Sequence, residues 1–435
     1  MIRRLRWVVP ALPLLLVPLA GSGPEPARAV LSPHLGYGIN VRDQSRINSL
    51  VDHLGLDWVK LWEEYGPLPS ERLPYQVLYL VDCGEYADDA DLTAWGDHVE
   101  ALAADGLGLV EAYEICNEPN LSRFWLGQPP DPVRYAEMLC VAYERVKSID
   151  PDAAVVSGGL APVGRIQGNC GGWDGNDCGA MDERAYAQAM VSLAGGSCLD
   201  AFGYHPYGFA YAPEQDPEQV SNGFAFRGAE VMRDILLSRG LDHVPVWATE
   251  FNWLRDSASD GELPGYCVDY YETWFGWMEV TEQQQADYLV GAFQYADDNW
   301  PWMHAMFVWN LDWQDYHTWG CEAARYFSIR RHDGTITGTL TQAYTALQTM
   351  DKRPGPFAPR LRAYPGNLLL LADVDEPGLI ESGVVVRNVG YRTLGWTATS
   401  DPAEGLTVTL PISISLISPR PRAPMIIRSI CLSFA

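Results

Sequence analysis

Two glutamates stand out by where they fall. Ile115-Cys116-Asn117-Glu118-Pro119-Asn120 and Val246-Trp247-Ala248-Thr249-Glu250-Phe251 are apolar, β-prone runs, and one carboxylate sits at the end of each. A carboxylate at the mouth of a buried parallel strand is costly unless it has a task. Two of them, brought face to face, suit acid and nucleophile work at a glycosidic bond, where one attacks the anomeric carbon and the other protonates the leaving oxygen. Paired charges at that range disfavour each other, so one carboxyl holds a proton near neutral pH and serves as the acid, while a phenol donating to the other keeps it ionised.

Further polar and aromatic clusters fall at comparable places. His205-Pro206-Tyr207 closes one apolar run and Trp309-Asn310 closes another, while Arg123, Phe124 and Trp125 follow Glu118 closely. Trp62 ends the run Trp58–Trp62. Clusters of this kind at several strand ends are hard to explain by packing alone.

The elements that must position them alternate. From about residue 35 to 350, short apolar runs interleave with amphipathic helical patterns, the βαβα signature of a parallel sheet. The expected strands are Gly36–Asn40, Trp58–Trp62, Gln76–Val81, Ala112–Asn117, Ala154–Gly158, Ala201–His205, Val246–Glu250 and Met306–Asn310. Eight is the count of a closed (β/α)8 TIM barrel, and the roughly 130 residues between the two glutamates fit three βα units with insertions. Leu92, Trp95, Val99 and Leu102 give one helix an apolar face. Asp131-Pro132 reads as a cap and first-turn proline, Thr281 with Gln284 as a capping box, and Thr341 to Met350 as the closing helix. Long Gly-, Asp- and Pro-rich loops after strands five, six and seven belong to the catalytic face of such a barrel.

This pattern resembles the large clan of retaining (β/α)8-barrel glycoside hydrolases, with cellulase-like and β-xylosidase-like branches. The resemblance covers about residues 35 to 350 and rests on the Asn117-Glu118 pair, the lone Glu250 three strands later, the nearby aromatics and a Trp on strand eight. It implies Glu118 as general acid/base and Glu250 as nucleophile. Asn117 would bond the sugar 2-hydroxyl, Tyr207 would bond the nucleophile, His205 would line the site and Trp309 would floor the subsite of the attacked sugar. Trp62 and Trp125 are further candidates for substrate contact. No metal or organic cofactor is implied. The arginine and histidine usual near strands two and three of the cellulase-like branch are replaced by Lys60-Leu61-Trp62 and Asp82-Cys83, which leaves the substrate open.

The 435 residues carry a formal charge of −26 and are 47% hydrophobic. That allows one large domain plus a small one, and the acidic surface disfavours nucleic acid and anionic lipid as partners. Residues 1–29 read as a secretory signal peptide: Arg3, Arg4 and Arg6, an apolar stretch Trp7–Leu19, and Ala27-Arg28-Ala29 for cleavage. The expected organisation is then a hydrolase domain over 30–352, a linker over 353–358 at Pro354-Gly355-Pro356, and an incomplete immunoglobulin-like β-sandwich over 359–435. After Glu404 there is no further acidic residue; a truncated or frame-shifted tail and an ordinary strand end both fit. Of nine cysteines, Cys170 and Cys178 make one candidate pair and Cys267 and Cys321 another, while Cys83, Cys116 and Cys140 read as buried thiols. The sequence thus reads as a secreted monomeric glycosidase acting on oligo- or polysaccharides, with no membrane span after signal cleavage. A non-catalytic carbohydrate-binding or adhesion protein on the same barrel is the alternative.

Overall fold

The computed structural model describes residues 35–86, 92–164, 179–256, 264–313, 321, 323–331 and 339–352, together with four backbone strands further on. The expected signal peptide, the Cys170–Cys178 loop and the 353–358 linker lie outside the described residues.

Eight strands form one parallel sheet: β1 (Gly36–Asn40), β2 (Trp58–Trp62), β3 (Gln76–Val81), β4 (Ala112–Ile115), β5 (Ala154–Ser157), β6 (Phe202–Tyr204), β7 (Val246–Phe251) and β8 (Met303–Val308). The neighbour order is β5-β4-β3-β2-β1-β8-β7-β6. Parallel bridges Val156↔Ala201 and Leu160↔Tyr204 join the two outer members, so the sheet closes on itself. With helices between successive strands, this is a (β/α)8 barrel.

The strands are buried along almost their whole length, as a sheet covered on both faces requires. Inside, Trp58, Trp247 and Phe307 share space with Leu78, Ala112, Ala154, Val156, Ala201 and Ala305. Large rings interdigitate with alanines, and Trp58 meets Trp247 edge-on at 5.1 Å. A Cβ on Gly38 would stand 2.4 Å from the Phe307 ring, so β1 can pass that ring only without a side chain. Outside, α1 (Thr93–Asp105), α2 (Pro132–Ile149), α3 (Glu183–Ser192), α4 (Gly228–Ser238), α6 (Glu282–Asn299) and α8 (Gln342–Thr349) cover the sheet. Trp95, Leu139, Met190, Leu236, Leu289 and Leu347 face inward among them. Asp131 caps α2 through Val133 and Arg134 backbone N–H groups, and Thr281 and Gln284 form the capping box of α6.

Between β7 and α6 lies an insertion that builds a small core together with the chain after β8. Leu254, Cys267, Tyr271, Cys321 and Tyr326 pack together, joined by the helices α5 (Val268–Trp274) and α7 (Ala324–Phe327). Cys267 and Cys321 are bonded, as their loop positions led one to expect.

The other two described disulfides correct the reading of Cys83, Cys116 and Cys140 as thiols. Cys83 bonds Cys116, and Cys140 bonds Cys198. The register Val81↔Ile115 sets the ends of β3 and β4 side by side, which brings the Cys83 and Cys116 Cα atoms to 5.2 Å. Cys140, on α2, faces Cys198 just past the turn Ala194–Ser197. Neither adjacency is visible until the strands are in order.

Beyond the barrel, Leu361–Tyr364, Ile380–Asn388, Ile426–Phe434 and Leu406–Thr409 pair antiparallel in that order.

Candidate active site

All the candidate groups come from the C-terminal ends of barrel strands, the end at which such barrels build their sites. After β4 the chain turns through Cys116 and Glu118 in left-handed backbone, φ +65° and +36°. For non-glycine residues this costs about 1–2 kcal/mol each, and strain of that kind collects where a side chain must be aimed. The turn is held from below. Trp125 Nε1 donates to the Pro119 carbonyl at 2.5 Å. Asn120 donates to the Ala161 and Met181 carbonyls at 2.9 and 3.1 Å and accepts from Ala161 N–H at 2.9 Å.

His205, one residue past β6, is fully buried between the two glutamates. Its Nδ1 lies 3.0 Å from Glu118 Oε1 and 3.6 Å from Glu250 Oε2, and its Nε2 lies 3.1 Å from Thr249 Oγ1. Nδ1 thus faces the two carboxylates and donates to Glu118, while Nε2 meets the Thr249 hydroxyl. A Cβ on Gly159, at the end of β5, would meet His205 Nε2 at 2.2 Å and Thr249 Oγ1 at 2.4 Å. Only glycine lets the imidazole in.

Tyr207 donates its hydroxyl to Glu250 Oε2 at 2.7 Å. Lys60, buried in the middle of β2, pairs with Glu114 at 2.8 Å and reaches Glu250 Oε1 at 3.4 Å. Glu114 Oε1 also accepts the Gly159 N–H at 3.0 Å. Neither Lys60 nor Glu114 was among the sequence candidates as a site residue. Their signal was a charge in the middle of an otherwise apolar strand, on β2 and again on β4, which only pays off as a pair.

Each remaining sequence candidate has a definite place. Asn117 is buried, and among the described residues its buried Oδ1 has no hydrogen-bond donor. Trp309 stacks obliquely on Trp62 and Trp313 at 5.3 and 4.5 Å. Trp62 donates to Asn40 Oδ1 at 3.0 Å, and the Lys60 ammonium lies 4.7 Å from its ring centroid. Trp125 is buried in the main apolar core, where its indole props the Glu118 turn as described. The structure therefore gathers Glu118, Glu250, His205 and Tyr207, sets Trp62 and Trp309 in one aromatic cluster, and seats Trp125 apart in the core.

The charges are set by burial and by these partners. Burial pushes the Glu118 carboxyl up, but the His205 hydrogen bond and charge, with Arg123 and Lys60, hold it below the ordinary range. Arg123 is exposed and stands 3.9 Å from Glu118. Burial pushes Glu250 up; His205 and Lys60 oppose this, the Glu118 charge adds to it, and the Tyr207 hydroxyl opposes it, leaving it above the ordinary range. Burial and the two carboxylate charges raise the Tyr207 phenol far above its usual value, so it remains a donor. The two carboxyls are close enough to feel each other's charge, and Glu250 is the one pushed up.

Glu118, His205 and Glu250 each offer one ligand atom, all within 4.8 Å of one another, a spacing a cation can bridge. Their present partners argue for another use: the Lys60 ammonium already stands against Glu250, and a second cation there would meet like charge.

No family model matches the chain, and no curated protein matches it. Among solved structures, the chain is similar to a glucosidase from Croceicoccus marinus, at 15% identity and a TM-score of 0.47 over 74% of this chain and 68% of that one. It is similar to a family 128, subgroup II endo-β-1,3-glucanase from Sorangium cellulosum, at 18% identity and a TM-score of 0.46 over 73% and 99% of the two chains. A monomeric β-xylosidase from Caulobacter crescentus aligns at 16% identity and a TM-score of 0.44 over 74% and 69%.

Proposed function

We propose that this chain hydrolyses β-glycosidic O-linkages in oligo- or polysaccharides by double displacement, with Glu250 as nucleophile and Glu118 as general acid/base. The observation that carries the reading is the approach of the Glu118 and Glu250 carboxylate oxygens to within 4.8 Å, at the ends of β4 and β7. Retaining enzymes hold their carboxyl groups about 5–5.5 Å apart, and inverting enzymes about 6.5–9.5 Å, to leave room for water.

In the first step the Glu250 carboxylate bonds the anomeric carbon, the bond to the leaving oxygen breaks, and Glu118 delivers its proton to that oxygen. In the second, Glu118 takes a proton from water, the water oxygen bonds the anomeric carbon and Glu250 departs. Asn117 Oδ1 accepts from a ring hydroxyl, and Trp309 lies under the attacked sugar. Lys60 and Tyr207 stabilise the Glu250 anion each time it is released. The steps use neither metal nor organic cofactor. The chain acts outside the cell as a monomer after loss of residues 1–29, and the strands beyond residue 359 belong to an accessory β-sandwich.

One observation favours exchanged roles: in the free site Glu118 is the carboxyl held ionised and Glu250 the one pushed up. The proposed roles require the proton to pass to Glu118 when substrate enters. The Tyr207 hydrogen bond to Glu250 supports them, because a phenol donor favours the anion it faces.

Azide separates the two. On aryl β-glycosides, Glu250→Gly with azide is expected to yield a glycosyl azide of inverted configuration, and Glu118→Ala with azide one of retained configuration. The opposite pattern assigns the roles in reverse. Wild-type product with an inverted anomeric centre by NMR would overturn double displacement, and binding of glycans without any turnover would favour the non-catalytic alternative.

A further inference from the structure

We infer a second glycan-binding site, an aromatic platform built by the insertion between β7 and α6 with the loop after β6, which takes a neutral polysaccharide chain through ring stacking. The inference rests on the proposed substrate class only for the kind of ligand; the platform itself is read from its own residues.

Trp274 and Trp277 are 62% and 52% exposed. On the same turn, Tyr271, Phe275 and Met278 point into the insertion's small core. The element therefore has an inner aromatic face that packs and an outer one that does not. Exposed rings in a row mark a surface with a use. Their mount is firm, since the Cys267–Cys321 bond ties the insertion to the loop after β8. Trp277 also donates its indole N–H to the Trp274 carbonyl at 3.0 Å, which leaves the apolar ring face as what it presents.

Trp277 does not stand alone. Its ring is nearly parallel to Phe209 and Phe224, at interplanar angles of 19° and 28° and centroid distances of 5.5 and 5.6 Å. Phe209 and Phe224 stack at 4.4 Å. Phe209 takes left-handed backbone, φ +52°, a strained setting for this side chain, two residues beyond the Tyr207 that bonds Glu250. The platform is thus continuous in sequence with the active-site loop.

Charge selects the occupant. The described residues from Asp256 to Glu282 include Asp256, Asp269, Glu272, Glu279 and Glu282 and no Lys, Arg or His. Polyanions, nucleic acid and anionic membrane are repelled there. Flat exposed rings in an acidic stretch suit a neutral polyhydroxylated chain, whose ring C–H faces stack and whose hydroxyls donate.

The test is native affinity electrophoresis of the full chain, with Glu250→Gln as background to stop turnover, in gels holding neutral β-glucan, xylan or galactomannan, against polygalacturonate. At least one neutral polymer is expected to retard the protein, and polygalacturonate none. Trp274→Ala with Trp277→Ala should weaken the apparent affinity about tenfold, as removal of aromatic anchors does. Trp277→Phe should restore most of the Trp277 share, and Leu237→Ala, an exposed apolar change on α4, should alter nothing. Equal retardation with and without the two rings, while the wild type hydrolyses a glycan, would overturn the platform and leave the proposed function standing. Loss of both binding and hydrolysis in the wild type would remove both. A dimer that dissociates on losing the two rings would make this face a protein interface and overturn the inference.

Discussion

Both ends of the barrel bury acidic side chains beside strands, but they wire them differently. At the N-terminal end, Asp57 just before β2 accepts from Tyr37 N–H in β1, Glu111 just before β4 accepts from Val77 N–H in β3, and Asp200 shortly before β6 accepts from Val155 N–H in β5, at 3.3, 2.8 and 2.9 Å. Glu111 pairs with Arg72, and Asp200 with Lys147 at 2.6 Å. The device recurs once per two βα units, each acid gripping the second residue of the preceding strand. At the C-terminal end, among the described residues, Glu118 and Glu250 accept from no backbone N–H. They meet His205, Tyr207, Lys60 and each other. A buried acid locked to the main chain is a clasp; a buried acid surrounded by titratable side chains has protons to move.

That contrast breaks most sharply at Glu250 and Asp200. Glu250→Gln is expected to lower turnover of an aryl β-glycoside by about 10⁴-fold or more, with the urea midpoint unchanged or raised, because a like charge beside Glu118 disappears. A variant that keeps near-wild-type turnover would place Glu250 with the clasps. Asp200→Ala is expected to do the reverse. It leaves Val155 N–H without its acceptor and the buried Lys147 ammonium without its counter-ion, with only the Ala153 and Pro151 carbonyls to accept from it, a loss of about 3–5 kcal/mol, read from urea unfolding. The folded fraction should keep its kcat and KM.

Much of this arrangement is legible in the amino-acid sequence. β1, β2 and β3 run between the residues their apolar patterns predict, and Glu118, Glu250, His205 and Tyr207 meet as strand-end position implied. The mismatches have causes. The ladder of β4 stops at Ile115 rather than Asn117 because Cys116 turns left-handed with no glycine to announce it. β8 begins at Met303, three residues early, since His304 breaks the apolar run without breaking the strand. The Lys60–Glu114 pair and the Cys83–Cys116 bond depend on which strands neighbour each other, a property of the closed barrel and not of any local segment. Trp125 shows the converse: proximity in sequence to Glu118 made it a substrate candidate, while its ring went to the core.

Asp57 sharpens the comparison through pH. Burial pushes its carboxyl up to about 7, against the Tyr37 N–H and the Lys352 charge, which lower it. A group that binds its proton more tightly folded than unfolded stabilises the fold fully at low pH and loses that contribution as pH rises through the folded value. Unfolding free energy is therefore expected to drop by about 2–3 kcal/mol from this residue between pH 5 and pH 8. Asp57→Asn keeps an acceptor for Tyr37 and should flatten that part of the curve, gaining stability at pH 8. Parallel wild-type and variant curves in urea would show that Asp57 stays ionised when folded.

The smallest effect probes the buried Lys60–Glu114 pair beside the active centre. Lys60 has a clasp-like bond to Glu114 and an active-site contact to Glu250, so it belongs to both patterns. Lys60→Met together with Glu114→Gln removes the pair without stranding either charge, a change that costs little in comparable buried sites. Lys60 lowers the Glu250 pKa, so its loss must raise it, and a nucleophile that works ionised then needs a higher pH. The acid limb of kcat/KM should move to higher pH, with the plateau nearly unchanged. If Lys60 only ties β2 to β4, the limb stays where it was and only the melting temperature shifts.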